Sequence, residues 1–174
     1  MCDKGKNVFE QTGYQQYEIS AFSKPGFQCV HNLNYWLYGD FVAIGAGAHG
    51  KYTRPTGEIF RYEKKASPKR YMDSVMNTED HFFSIEKVNK RTLILDFLMN
   101  YLRTKSGFTE QELFHKTGIQ FNSVSNLFTQ AKSQGFLKKQ HNQWSSTSKG
   151  HQFLNDLLLL FTVAAPDKST FDSR

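Results

Sequence analysis

Thr109-Glu-Gln-Glu112-Leu113-Phe114-His115-Lys116-Thr117-Gly118 opens with a hydroxyl residue three positions before a glutamate and closes on a glycine. That spacing is a capping box, in which Thr and Glu satisfy each other's free backbone amides. It predicts a short helix that includes Leu113 and Phe114 and stops at Gly118. Working outward, Val124, Leu127, Phe128 and Ala131 follow the i, i+3, i+4, i+7 pattern of an amphipathic helix, which Gly135 ends. Phe136-Leu-Lys-Lys139 and Gln143-Trp144-Ser145 flank Gln140-His141-Asn142 and read as a small hairpin. A last helix is expected from about Ser148, burying Phe153, Leu154, Leu157, Leu158 and Phe161. Upstream, Leu95, Leu98 and Leu102 share one helical face, with Ile94 and Tyr101 beside them. Three helices, a hairpin and a closing helix predict a winged-helix-like unit. Its expected core is Leu98, Leu113, Leu127, Phe128, Leu154 and Leu158.

The character of the chain changes near Asn89. Before it come short extended pieces separated by glycines. Tyr14-Gln-Gln-Tyr17-Glu-Ile19-Ser is rich in β-formers and is followed by the turn signal Pro25-Gly26. Phe41-Val-Ala-Ile44 is consistent with a short buried strand, and another strand is expected from about Glu58 to Glu63. Cys29 to Tyr38 is aromatic-rich and fits either helix or loop. Ser67-Pro68 followed by Tyr71, Met72, Val75 and Met76 predicts a helix with proline in its first turn. No β-α-β rhythm appears and these strands make no complete sheet. The fold class is α+β, with residues 1–88 as the end of a larger domain and 89–174 as the helical C-terminal one. Open strand edges in the first part are expected to be covered by dimerisation or to be less ordered.

Composition excludes several classes. The chain has 174 residues, 39% hydrophobic and 22% charged, which fits a globular protein and not a disordered or fibrous one. Cys2 and Cys29 are the only cysteines, too few for a disulfide framework, a Cys₄ zinc site or an iron–sulfur cluster. The N-terminus lacks the apolar core of a signal peptide, and Leu157–Ala165 is half the length of a membrane span. The expected location is the cytoplasm. Net charge is +6, and residues 51–70 hold seven Lys/Arg against Glu58 and Glu63. Such a run suits phosphates or carboxylates of a ligand, or a solvated strand edge protected by charge. The helix around 122–134 carries only Lys132 as a cation, which argues against nucleic acid as a partner.

Two clusters carry candidate chemistry. Gly45-x-Gly47-x-x-Gly50 matches the dinucleotide fingerprint by letter, but turn and strand residues follow where the fingerprint needs a helix N-terminus. The glycines imply instead a close backbone approach, with His49 exposed to whatever approaches there. His31-Asn-Leu-Asn-Tyr35-Trp36 places an imidazole beside flat apolar rings. That combination suits a porphyrin, and equally a core corner in which the histidine satisfies a carbonyl. Cys29 is expected to be a small buried residue and not half of a thiol–imidazole pair. His81, His115, His141 and His151 are expected at the surface. No catalytic residue is assigned.

These clusters and their surroundings resemble a known family. Gly13-Tyr14-Gln-Gln-Tyr17-Glu18-Ile19-Ser20-Ala21-Phe22-Ser-Lys24-Pro25-Gly26, Cys29-x-His31-Asn32-x-x-Tyr35-Trp36 and Asp40-Phe-Val-Ala-Ile44-Gly45-Ala-Gly47-Ala48-His49-Gly50 are similar to oxygen-independent coproporphyrinogen III oxidase-like radical SAM proteins, most of all their HemW haem-chaperone branch. Asp96-Phe-Leu-Met99-Asn100-x-Leu102-Arg103 and Gly150-x-x-Phe153-Leu154-Asn155-Asp156-Leu157-Leu158 look like that branch's C-terminal domain. Ala21 departs from the Asn that the branch carries after its serine.

The resemblance implies that residues 1–88 are the last strands of a radical SAM partial (β/α) barrel. It places His31 on a motif associated with haem binding, with Tyr35 and Trp36 beside it and His31 as the ligand to haem iron. The segment around His49 would lie near S-adenosylmethionine. The basic run from Lys51 to Arg70 is expected to meet haem propionates. The family's Cys-x-x-x-Cys-x-x-Cys triad is absent, so neither the [4Fe–4S] cluster nor S-adenosylmethionine cleavage is expected of this chain, which reads as a C-terminal fragment. The function so implied is haem binding and transfer to a haem-acceptor protein. The alternative is part of a coproporphyrinogen III oxidase, which decarboxylates two propionates.

Overall fold

Thr109 and Glu112 form the reciprocal cap. In a computed structural model of the chain, which describes residues 2–77, 83–90 and 92–162, the Thr109 hydroxyl accepts from the Glu112 amide at 3.1 Å. The Glu112 carboxylate accepts from the Thr109 amide at 2.7 Å. Gly118 ends that helix in the left-handed conformation, its amide donating to the Phe114 carbonyl.

In chain order, helix α1 (Cys2–Gln11) leads to the two-residue strands β1 (Gln15–Gln16) and β2 (Phe22–Ser23) and then to α2 (Val30–Trp36). Strands β3 (His49–Thr53) and β4 (Ile59–Lys64), helix α3 (Pro68–Met76) and strand β5 (Phe83–Lys87) follow. Then come α4 (Leu93–Tyr101), β6 (Phe108–Thr109), α5 (Glu110–Thr117), a 3-10 turn at Phe121–Ser123 and α6 (Ser125–Ser133). Strands β7 (Leu137–Gln140) and β8 (Gln143–Ser146), and helices α7 (Ser148–Gln152) and α8 (Leu154–Thr162), close the described chain.

The chain divides into two compact units. Gly39–Asn89 forms one, and the segments on either side of it together form the other. Residues before 39 therefore group with the helices after 89, whereas the sequence suggested a single boundary between 88 and 89. The tie is local and physical. The Lys105 amide donates to the Tyr17 carbonyl, Glu18 bridges Thr104, and the buried Tyr38 ring packs edge-on to Phe97 while its hydroxyl donates to Asp96.

The core of this flanking unit is a chain of aromatic rings. Phe128 lies 5.0–5.9 Å from Phe108, Phe121, Trp144 and Phe161, and Phe97 meets Phe108 at 5.0 Å in a perpendicular pair. Phe97, Leu98, Leu102, Phe108, Leu113, Phe128 and Leu157 are fully buried. On α4 the buried face is Ile94, Phe97, Leu98 and Tyr101, with Leu95 only half-buried. The expected last helix is broken at Phe153, whose backbone leaves the helical region (φ −115°, ψ 48°). The break resets the phase, so α8 buries Leu157 and Phe161, while Leu154 and Leu158 are half-buried and Phe153 is exposed. Leu127 is likewise half-buried, and Phe128 takes its place in the core. Strands β6, β8 and β7 form an antiparallel sheet in that order. Its hairpin turns through His141 and Asn142, both at positive φ, the geometry of a two-residue turn that matches strand twist.

The middle unit is an antiparallel sheet in the order β3-β4-β5, with α3 between β4 and β5 in sequence. Ser67 caps α3 and Pro68 occupies its first turn, as the sequence predicts. The buried strand expected at Phe41–Ile44 does not form. Phe41 makes a single bridge to Lys51, Ala43 is buried, and Val42 and Ile44 are 79% and 86% exposed. A continuous apolar run is buried on both sides only where two layers cover it, and here one bridge leaves the alternate side chains facing out.

Candidate functional site

Helix α2 carries His31 and Tyr35 four residues apart, which puts them on one face. No residue of α2 is fully buried, and His31 is exposed and makes no hydrogen bond or ion pair among the described residues. Phe27 and Val30, close by in sequence, are 80% and 79% exposed. The helix start therefore presents a free imidazole amid apolar surface. Cys29, at the N-cap, is an exposed free thiol. The expectation of a buried Cys29 is thus corrected: it precedes a helix that lies at the surface.

Trp36 behaves differently. Five residues past His31, its ring points away from that face, half-buried beneath the Arg103 guanidinium at 4.5 Å from the ring centroid. Tyr35 meets it edge-on at 5.1 Å. The guanidinium Nε lies 3.9 Å from Glu18 Oε2, and Glu18 is 2% exposed, its other oxygen accepting from the Ser20 amide and hydroxyl. On the first turn, the Asn32 amide donates to the Tyr17 hydroxyl at 3.4 Å. Tyr17, Glu18 and Arg103 thus brace α2 from below and leave His31 free above. Sequence reading missed this support, because Arg103 lies 67 positions from Trp36 and no local pattern links them.

His49 lies in the middle unit at the start of β3, exposed, with Nε2 3.7 Å from Glu63 Oε1 across the strand pair. The close approach that the glycines imply is there. A Cβ on Gly50 would stand 2.1 Å from the Tyr62 ring, so the partner is this chain's own side chain. The Tyr62 hydroxyl accepts from the Ala43 amide at 2.9 Å and fixes the ring against the glycine segment. Tyr62 also lines an apolar cavity of about 600 Å³ with Phe41, Ala43, Tyr52, Phe83 and Ile85.

The basic run is largely committed. Lys51 is 3% exposed and its ammonium donates to Asp40 at 2.9 Å. Partial burial works against the charged Asp40 carboxyl, but donation from Lys51 and from the Thr53 amide and hydroxyl outweighs it and holds the pKa below the usual carboxylate range. Arg54 stacks on Phe60 at 4.5 Å and pairs with Glu58, which also accepts from Lys87. Lys51 is therefore a structural cation and not a free contact for propionates. Among the histidines expected at the surface, His151 is half-buried, and His81 lies outside the described residues.

Over residues matching 91% of the chain, it is 41% identical to the haem chaperone HemW of Haemophilus influenzae and 38% identical to that of Escherichia coli K12. This chain resembles the C-terminal part of HemW. It spans 40% and 41% of the length of those two relatives. No protein-family model matches it. Among solved structures it is similar to the coproporphyrinogen III oxidase HemN of Escherichia coli, described as a radical SAM enzyme, with a TM-score of 0.64 over 92% of this chain and 40% of that one. At 12% identity that likeness shows the fold alone. The HemW resemblance and the mixed helix-and-sheet fold expected from the sequence therefore stand. No helix among the described residues is long and apolar enough to cross a membrane.

The donor sets can be compared with the groups the resemblance implies. An exposed, uncommitted imidazole beside Phe27, Val30 and Tyr35 fits a single axial ligand to haem iron with room on its open side. Two cysteines do not fit a [4Fe–4S] cluster.

Proposed function

We propose that this chain supplies the haem-contacting and C-terminal parts of a HemW-type haem chaperone, and that α2 is its haem contact. The observation that carries the reading is the 41% identity to a protein named as a haem chaperone. His31 would be the iron ligand, with Tyr35 offering ring surface on the same face. Trp36 would act from beneath, as the anchor of the helix under Arg103. Haem itself would be the cargo, passed on to a haem-acceptor protein in the cytoplasm, and this chain's residues would bind and orient it. His49 would lie toward S-adenosylmethionine in a complete protein. Helices α4, α5 and α6 with the β7–β8 hairpin and the closing helices would make a winged-helix-like docking unit within residues 89–174, and residues 1–88 would be the end of a partial (β/α) barrel.

The test is a haemin titration followed by Soret absorbance. The expected result is one saturable site whose Soret band changes and whose affinity falls at least tenfold in His31→Ala, with His49→Ala unchanged. An identical spectrum and affinity in His31→Ala would overturn the axial-ligand assignment.

A further inference from the structure

A second cleft lies wholly within the flanking unit, away from the α2 face in chemistry if not in unit. It is about 820 Å³ in volume, within the range of small-ligand sites. Four segments bring basic side chains to it: Lys6 from α1, Lys105 from the loop after α4, Lys138 from β7 and His151 from α7. Ser148 and Gln152 add a hydroxyl and an amide. No carboxylate and no arginine is among its described lining residues, and Ile19 is the single apolar side chain there. Lys105 and Lys138 make no ion pair or side-chain hydrogen bond among the described residues, and Lys6 has Glu10 3.9 Å away on the exposed side of α1.

Like charges gathered in a concavity raise each other's free energy unless an anion joins them. Burial and the Lys6 ammonium push the Lys105 pKa down, more than the Glu10 carboxylate raises it, and burial and Lys105 push that of His151 down. A porphyrin does not match, because its macrocycle needs flat apolar walls and Ile19 alone among the described lining residues is apolar, with no Phe, Tyr or Trp beside it. Planar carboxylates are best gripped by arginine forks, which this lining lacks, whereas lysines are point charges that suit phosphate oxygens.

We propose that this cleft binds a small solute carrying two or more linked phosphate groups, held by Lys105 and Lys138 with Lys6, His151 and Ser148 around it. Both the chemistry and the residues are separate from the haem reading, which stands or falls on its own titration.

Calorimetric titration of the full chain with sodium tripolyphosphate at near-physiological salt tests it. One saturable event per chain is expected. Lys105→Met and Lys138→Met should each weaken it about tenfold, the equivalent of one charge-assisted contact. Without tripolyphosphate both variants should melt close to the parent, since both side chains are exposed and neither makes an ion pair or side-chain hydrogen bond among the described residues. Several results would overturn the proposal: no saturable binding, unchanged affinity in both variants, or citrate binding as tightly as tripolyphosphate. Displacement of tripolyphosphate by a short DNA duplex of higher affinity would also overturn it, by showing a nucleic-acid surface.

Discussion

His151 shows how one side chain records its surroundings. Burial, and then the nearby Lys105 ammonium, lower its pKa from the ordinary 6.5. A histidine whose folded-state pKa is depressed contributes stability that is complete above the unfolded pKa and is lost as pH falls toward the folded one. Urea unfolding should therefore show stability declining from pH 7.5 to 5.5, and His151→Gln should flatten that decline. An equal slope in the variant would mean that other groups carry the dependence. His31, by contrast, was legible as a candidate from its neighbours in sequence. Its freedom was not, since an imidazole beside Tyr and Trp fits a buried corner equally well until exposure decides. Cys29 was misread for the same reason: small apolar residues are usually buried, and only the surface position of α2 exposes this one.

At the scale of elements, local signals were strongest where the backbone itself needs a partner. The Thr109–Glu112 box, the Ser67–Pro68 start of α3 and the stop at Gly118 all satisfy or end hydrogen bonding within a few residues. Thr109→Ala should accordingly cost about 0.5–2 kcal/mol, because the Glu112 amide loses the hydroxyl that accepts its hydrogen bond while the backbone amide of residue 109 still donates to the Glu112 carboxylate. Thermal melting checks it, and Thr109→Ser should restore most of the loss. Gly150 opens a different kind of prediction. A Cβ there would stand 2.1 Å from the Phe136 carbonyl oxygen, a backbone atom that cannot swing aside. Gly150→Ala should destabilise by about 1–3 kcal/mol or more through overpacking, although alanine is the better helix former. A variant as stable as the parent would mean that α7 does not sit against the strand start at Phe136.

For the molecule as a whole, burial is allotted by packing and not by hydrophobicity alone. Phe128 touches Phe108, Phe121, Trp144 and Phe161, while Leu127 beside it is only half-buried. Phe128→Ala should cost about 3–5 kcal/mol, and Leu127→Ala clearly less. Denaturant midpoints at constant slope measure both, and equal costs would contradict the packing. The grouping of residues before 39 with those after 89 belongs to this scale too. It rests on contacts such as Tyr38 with Asp96 and Phe97, nearly sixty residues apart, which no window of sequence contains.

The sequence by itself determined the capped starts of α3 and α5, the stop at Gly118, the β7–β8 hairpin, the resemblance to HemW-type proteins, and the His31 motif. Each of these depends on neighbours within a few residues or on a string of letters in order. Tertiary structure alone decided which leucines are core, that the chain breaks at Phe153, and that Arg103 and Glu18 brace Trp36. It also decided that Tyr62 fills the space beside Gly50 and that three distant lysines share one cleft with His151. Those outcomes depend on which surfaces meet across long stretches of chain, and local periodicity carries no information about distance in space.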